Sequence, residues 1–202
     1  MHNDPKSAIP QSPKILLLSA MGAGSIVGEA VLRLVSEHIA SKGGGTTMVA
    51  LKAFRLPLFD GEGDLGAFPQ EAKELAETIG HHHALMLIAP EYHQGIAPLV
   101  KNSLDWSGRA HTLAEYRTPL LHGKSLGIVT LSPEQHLGVQ ALTQMASLCH
   151  ALGGRILPGS MGVLDQWKSL GDDRQIKDPG LVKRLSALAE DLLHMGRRSL
   201  GR

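Results

Sequence analysis

Two stretches of this chain have the residue types and spacing to hold an anion or a flat ring. The first, Ser19-Ala-Met-Gly22-Ala-Gly24-Ser25, joins an apolar run to an amphipathic one. Glycines let successive backbone N–H groups converge on one point, and a helix opening at Ser25 adds the partial positive charge of its N-terminus. A phosphate is the group such a loop holds, with Ser19, Gly22, Gly24, Ser25, Ile26 and Val27 as the candidate contacts. The plainer role for Ser25 is a helix N-cap. The second stretch is Pro90-Glu91-Tyr92-His93-Gln94-Gly95, which follows another apolar run.

Other chemistry-bearing patterns lead nowhere comparable. Gly22, Gly24 and Gly28 nearly imitate a dinucleotide fingerprint, but the acid expected about twenty residues on is missing, since the second apolar run ends in Leu51-Lys52. Gly123-Lys124-Ser125 has Thr118 where a phosphate loop needs glycine, and it leads into a strand rather than a helix. His81, His82 and His83 are consecutive and so point in different directions, and no HExxH or spaced Cys/His pattern accompanies them. They are not read as a metal site. Cys149 falls on the inner face of a helix and reads as a small core residue. No G-x-S-x-G elbow is present, so a hydrolase has no support.

The elements that must position the two loops are legible from periodicity. Residues 14–19 form a near-continuous apolar run, the mark of a strand covered on both faces. Over 25–42, Ile26, Val27, Ala30, Val31, Leu34, Val35 and Ile39 recur at helical spacing, and three glycines end the segment. The cycle repeats with strands at 46–51, 84–89 and 124–131, and with helices at 71–79, near 98–107 and at 138–152. A fifth strand is expected over 155–157, continuing toward Val163. Asp178-Pro179 opens a last helix that buries Leu181, Val182, Leu185, Leu188, Leu192 and Leu193. Five strands separated by helices predict an α/β fold, a doubly wound five-stranded parallel sheet of flavodoxin-like order 2-1-3-4-5. In that order the loops at 19–25 and 90–95 meet at the switch point where open sheets bind ligands.

Composition narrows the class. The 202 residues include 43% hydrophobic and 19% charged residues, which suits a globular domain, and only 3% aromatic residues. A net charge of +1 without blocks of like charge gives no basic face for nucleic acid or an acidic membrane. One cysteine excludes an intrachain disulfide. No apolar run reaches membrane-spanning length, and residues 1–13 read as a flexible leader rather than a signal peptide, so the expected compartment is the cytoplasm.

From residue 90 onward the chain resembles the signature of the NADPH-dependent FMN reductase family, which reads PEYN, then LKN, then IDW. Here PEYH stands at 90–93, VKN at 100–102 and LDW at 104–106, with the same spacing. Leu56-Pro57-Leu58-Phe59-Asp60 is similar to the family's segment after the second strand, and residues 173–193 to its closing helix. The resemblance implies an FMN-binding domain over 14–202, with Pro90, Glu91, Tyr92 and His93 against the isoalloxazine ring. It also implies a third loop, from Ser132 to Gly138, flanking that ring. NADPH or NADH would be the co-substrate, and a quinone, an azo compound or free flavin the small electron acceptor. A homodimer or homotetramer through the helix carrying Trp106 is the implied assembly, with Asn102, Asp105 and Trp106 in packing or subunit contact. Two departures stand out. The family's first loop reads GSxRxxSxN, and an ungapped match puts Ala20, Gly22, Ser25 and Val27 at its Ser, Arg, Ser and Asn. Only Ser25 is kept, and His93 replaces the second loop's asparagine. The alternative function is a non-enzymatic flavodoxin-like module whose phosphate loop no longer retains FMN. An electron carrier of flavodoxin type is disfavoured, because such proteins resemble acidic chains with aromatic-flanked ring loops.

Overall fold

The alternating apolar runs assemble into one parallel sheet in the computed structural model, which describes residues 12–22, 24–61, 68–114, 117–136 and 138–200. β1 (Lys14–Ser19) lies between β2 (Gly45–Ala50) and β3 (Ala84–Pro90). β3 pairs with β4 (Ser125–Ser132), and β4 pairs in turn with β5 (Arg155–Ile156) and β6 (Met161–Leu164). The order is β2-β1-β3-β4-β5, with β6 also beside β4. The helices are α1 (Ile26–Ser41), α2 (Gln70–Gly80), α3 (Pro98–Leu113), α4 (Val139–Ala151) and α5 (Pro179–Leu200).

Alternation along the strands sorts the core into two layers. Ile15, Leu17, Met86, Ile88, Val129 and Leu131 pack with residues of α1 and α5. Leu16, Leu18, Leu85, Leu87, Leu126 and Ile128 pack with residues of α2, α3 and α4. Each fully buried side chain of this size stabilises by roughly 1.5–3 kcal/mol, so the central strands anchor the loops that leave them.

The expected fifth strand is interrupted. Pro158 has no N–H for a ladder, and the chain turns there, with Ser160 N–H donating to Leu157 O at 3.0 Å. The Ser160 hydroxyl then accepts the Ile128 N–H at 3.0 Å, replacing the carbonyl that a continuous strand would have supplied. Helix α3 runs beyond the expected end near 107. Ser107 and Thr112 donate their hydroxyls back to Ser103 O and Gly108 O, so polar residues that suggest a stop stay helical. Of the expected leader, residues 1–11 lie outside the described residues. Ser12 Oγ donates to Gly43 O, and Pro13 O accepts from Gly45 N.

The motif residues in α3 have a clear local purpose. Asn102 Nδ2 and Trp106 Nε1 both donate to Pro57 O, at 2.8 and 2.7 Å, and Asn102 Oδ1 accepts the Phe59 N–H at 2.8 Å. Phe59 and Phe68 both meet the Trp106 ring edge-to-face, at 5.0 and 5.3 Å. The loop after β2 is thereby strapped to α3. Asp105 pairs with Lys101 one turn away.

Candidate functional site

At the end of β1, Ala20 N–H donates to Ile88 O, after which the chain leaves the sheet. Met21 N–H is held by Ser19 Oγ at 3.3 Å, and Gly24 takes the left-handed φ of +89° that turns the chain into α1. Ser25 is the N-cap: its Oγ accepts the Gly28 N–H at 3.2 Å and its carbonyl accepts from Glu29 N. Because the oxygen is the acceptor there, the hydroxyl proton remains available to a ligand. The N–H groups of Gly22, Gly24, Ser25, Ile26 and Val27 find no acceptor among the described residues. The Val27 side chain is buried in the core, so it can offer only its backbone, whereas Ile26 is exposed.

The loop after β3 is a two-residue turn. Tyr92 and Gly95 exchange both backbone hydrogen bonds, at 3.2 and 2.8 Å, around His93 (φ +51°) and Gln94 (φ +61°). Two adjacent non-glycine residues in the left-handed region cost about 1–2 kcal/mol each, and such strain gathers at ligand sites. Histidine is among the more tolerant residues there. Ile96 N–H donates to Gln144 Oε1, tying the turn to α4. Glu91 N–H is used by Leu131 O and Tyr92 N–H by Gly95 O, which leaves the His93 and Gln94 N–H groups without an acceptor among the described residues.

The third loop is braced from below. Ser132 is fully buried, its Oγ accepting from Glu134 N and its carbonyl from Asp165 N. It holds this loop in place and does not face solvent. The Glu91 side chain turns away from the surface toward the same loop, and its Oε2 receives no hydrogen bond from any described residue. A buried acceptor left in that state costs about 1–3 kcal/mol, more when charged. Periodicity gave no sign of the half-buried Asp165 beside Ser132, whose carboxyl is pushed up by desolvation, or of Glu91 turning toward His136. The glutamate within a proline-led loop motif was the available hint.

The remaining candidates sit at the opposite, N-terminal edge of the sheet, or in its core. His82 Nδ1 donates to Thr78 O at 2.7 Å, and its Nε2 pairs with Thr47 Oγ1 at 2.8 Å. His83 Nδ1 accepts the Lys14 N–H. Lys124 Nζ donates to Gly80 O and His82 O. These groups fasten α2 to the strands. Among the described residues no cluster of His, Cys, Asp and Glu could hold a metal, and no helix is long and apolar enough to cross a membrane. Burial pushes the Cys149 thiol up to about 12, so it is inert.

The residues of the C-terminal edge fit a flavin phosphate and ring. N–H groups without an acceptor among the described residues, and the Ser25 hydroxyl with its proton uncommitted among them, lie at a helix N-terminus, where a phosphate is accommodated. Of five exposed large apolar side chains among the described residues, Ile26, Tyr92 and Val139 stand on the three elements that border this crevice. Sheet order and an anion-ready, apolar-rimmed switch point define a flavodoxin-like protein. The family profile of NADPH-dependent FMN reductase matches residues 13–168, and the chain belongs to that family. It is similar in fold to FerB, a flavoenzyme NAD(P)H:(acceptor) oxidoreductase from Paracoccus denitrificans (TM-score 0.73, 15% identity, covering 92% of this chain and 98% of that one). The apo form of the NADH:FMN oxidoreductase EmoB is similar over 90% of each chain, at TM-score 0.62 and 18% identity. A flavodoxin from the domain Archaea matches 91% of this chain and 98% of its own, at TM-score 0.60 and 9% identity.

Proposed function

We propose that this chain binds FMN in the crevice between β1 and β3 and passes electrons from NADPH or NADH to a small acceptor, such as a quinone, an azo compound or free flavin. The observation that carries this reading is the coincidence, at one switch point, of N–H groups at residues 22 and 24–27 that have no acceptor among the described residues with the exposed Ile26, Tyr92 and Val139. The N–H groups of Gly22, Gly24, Ser25, Ile26 and Val27 hold the phosphate together with the Ser25 hydroxyl, and Ser19 shapes their loop. Tyr92 and the N–H groups of His93 and Gln94 meet the ring, while Pro90, Glu91 and Ser132 set the backbone behind it. When bound, the flavin supplies the redox chemistry. The chain supplies position and hydrogen bonds, and no acid–base side chain is assigned to the transfer. A homodimer or homotetramer through α3, in the cytoplasm, belongs to the same proposal and rests on family membership.

Residues 19–25 contain neither Arg nor Lys, and a guanidinium is a strong phosphate partner. That favours a second reading, a module that no longer retains FMN. Anaerobic addition of NADPH to the purified protein with FMN separates the two. The enzyme bleaches the flavin absorbance, whereas the empty module leaves FMN unbound and NADPH unoxidised. Ser25→Ala is expected to weaken FMN binding about tenfold, the scale of a hydrogen bond to a charged group, and to cost about 1 kcal/mol of stability as a lost cap. Unchanged affinity would overturn the phosphate assignment.

A further inference from the structure

The orphaned acceptor Glu91 Oε2 sits beside a nitrogen with two possible partners. The Glu91 side chain is 5% exposed, and His136 Nδ1 lies 3.5 Å from its Oε2. That nitrogen is already engaged, since it accepts the Gly138 N–H at 3.2 Å. The proton of the neutral ring is therefore on Nε2, which lies 3.8 Å from Glu134 Oε2. Gly138 has φ +62°, and a Cβ built on it would stand 2.9 Å from Glu91 Oε2. Glu91, His136 and Gly138 thus converge between the loops that leave β3 and β4.

The two uses of Nδ1 exclude each other. As an acceptor it holds Gly138 at the start of α4, and as a donor it faces the Glu91 carboxylate 3.5 Å away. We propose that His136 is a positioning residue of the crevice: protonation transfers Nδ1 from the Gly138 N–H to Glu91 and ties the two loops together. The imidazole is 37% exposed, so solvent supplies the proton. The charged groups facing it are Glu91 from the end of β3 and Glu134 from its own loop, so the charged ring meets an acid at each nitrogen. Neither acid pairs with a Lys or Arg among the described residues. Forming this bridge braces the 92–95 turn against His136, where the ring would be gripped. The inference rests on the flavin reading of the crevice but adds a pH-dependent control to it.

The test uses the full-length protein, first without flavin. NMR following the Gly138 amide and the His136 ring nitrogens from about pH 8 to about pH 5 is expected to show both moving in a single step. That step disappears in His136→Gln and shrinks in the near-isosteric Glu91→Gln, which keeps the test alive if the first variant disturbs the loop. FMN affinity, read by fluorescence, is expected to be about five- to tenfold tighter at the acid end in the wild type, the scale of one charge-assisted hydrogen bond. This gain is measured relative to His136→Gln, which retains the titration of the flavin phosphate. A Gly138 amide that ignores pH overturns the switch, whatever the flavin does. An identical FMN pH profile in wild type and His136→Gln overturns the positioning role. Absence of FMN binding at every pH defeats the flavin reading instead, and the amide titration still decides the switch.

Discussion

At the N-terminal edge of the sheet, His82 has a partner on both ring nitrogens and Lys124 donates to two carbonyls. At the C-terminal edge, the N–H groups of residues 22 and 24–27 and the Oε2 of Glu91 have none among the described residues. The first edge also borders a groove of about 650 Å³ between α2 and α3 with His81, His111 and Lys124 on its wall. His82 and Lys124 at the lower edge are spent on joining α2 to the strands, although Arg109 Nε at that edge also has no partner among the described residues. The upper edge instead gathers several N–H groups without an acceptor among the described residues beside a strained turn. Unmet hydrogen-bonding capacity, together with left-handed residues at 93 and 94, is what supports the proposed placement of the ligand at the upper edge.

The contrast can be broken at either edge. The largest effect is expected from Lys124→Met, which strips two carbonyls of a charged donor. Stability should fall by about 2 kcal/mol, measured as a lower urea midpoint, while FMN affinity of the folded protein stays unchanged. A parallel loss of affinity would mean that the two edges are coupled.

Acidification should produce a smaller loss at the same edge. Burial pushes the titrations of His82, His83 and His111 below the ordinary 6.5. The unfolded chain therefore takes up protons first. The stability contributed by these neutral rings is complete above about pH 6.5 and drains away as pH falls from there toward the lower native values. His82→Gln should flatten part of that acid-side slope in urea titrations. A slope left unaltered would remove His82 from the account.

The smallest effect belongs to the upper edge. Gln94→Gly relieves a left-handed residue and should raise the melting temperature, by the equivalent of about 0.5–1 kcal/mol. FMN affinity should drop about two- to threefold as the turn loses its set shape. Stability gained without that drop would show the strain to be incidental to binding.

The uneven legibility of these features follows from the range of the interactions involved. The run at Lys14–Ser19, the spacing in α1 and the glycine-rich exit from β1 are local patterns, and they were sufficient for the sheet order and the switch point. The Asn102 and Trp106 clamp was visible as a motif but not as a clamp, because its partner, Pro57 O, is a backbone group far away in sequence. Glu91 looks like a surface acid until the fold lays β4 beside it. Ser160 is an ordinary loop serine until Pro158 breaks the ladder and its hydroxyl finds Ile128. Side chains that stand in for backbone, or that are buried by a distant element, leave no period to read.

That same break at Pro158 bears on how the molecule behaves in a crowd. The outer rim of a sheet carries unsatisfied main-chain groups to which a neighbouring molecule can attach its own strand, a common start of polymerisation. An uninterrupted rim over 155–164 would have offered such a template. Divided into pieces of two and four residues, it gives an incoming strand no continuous register to extend, so copies of this protein are kept from zipping together along that side.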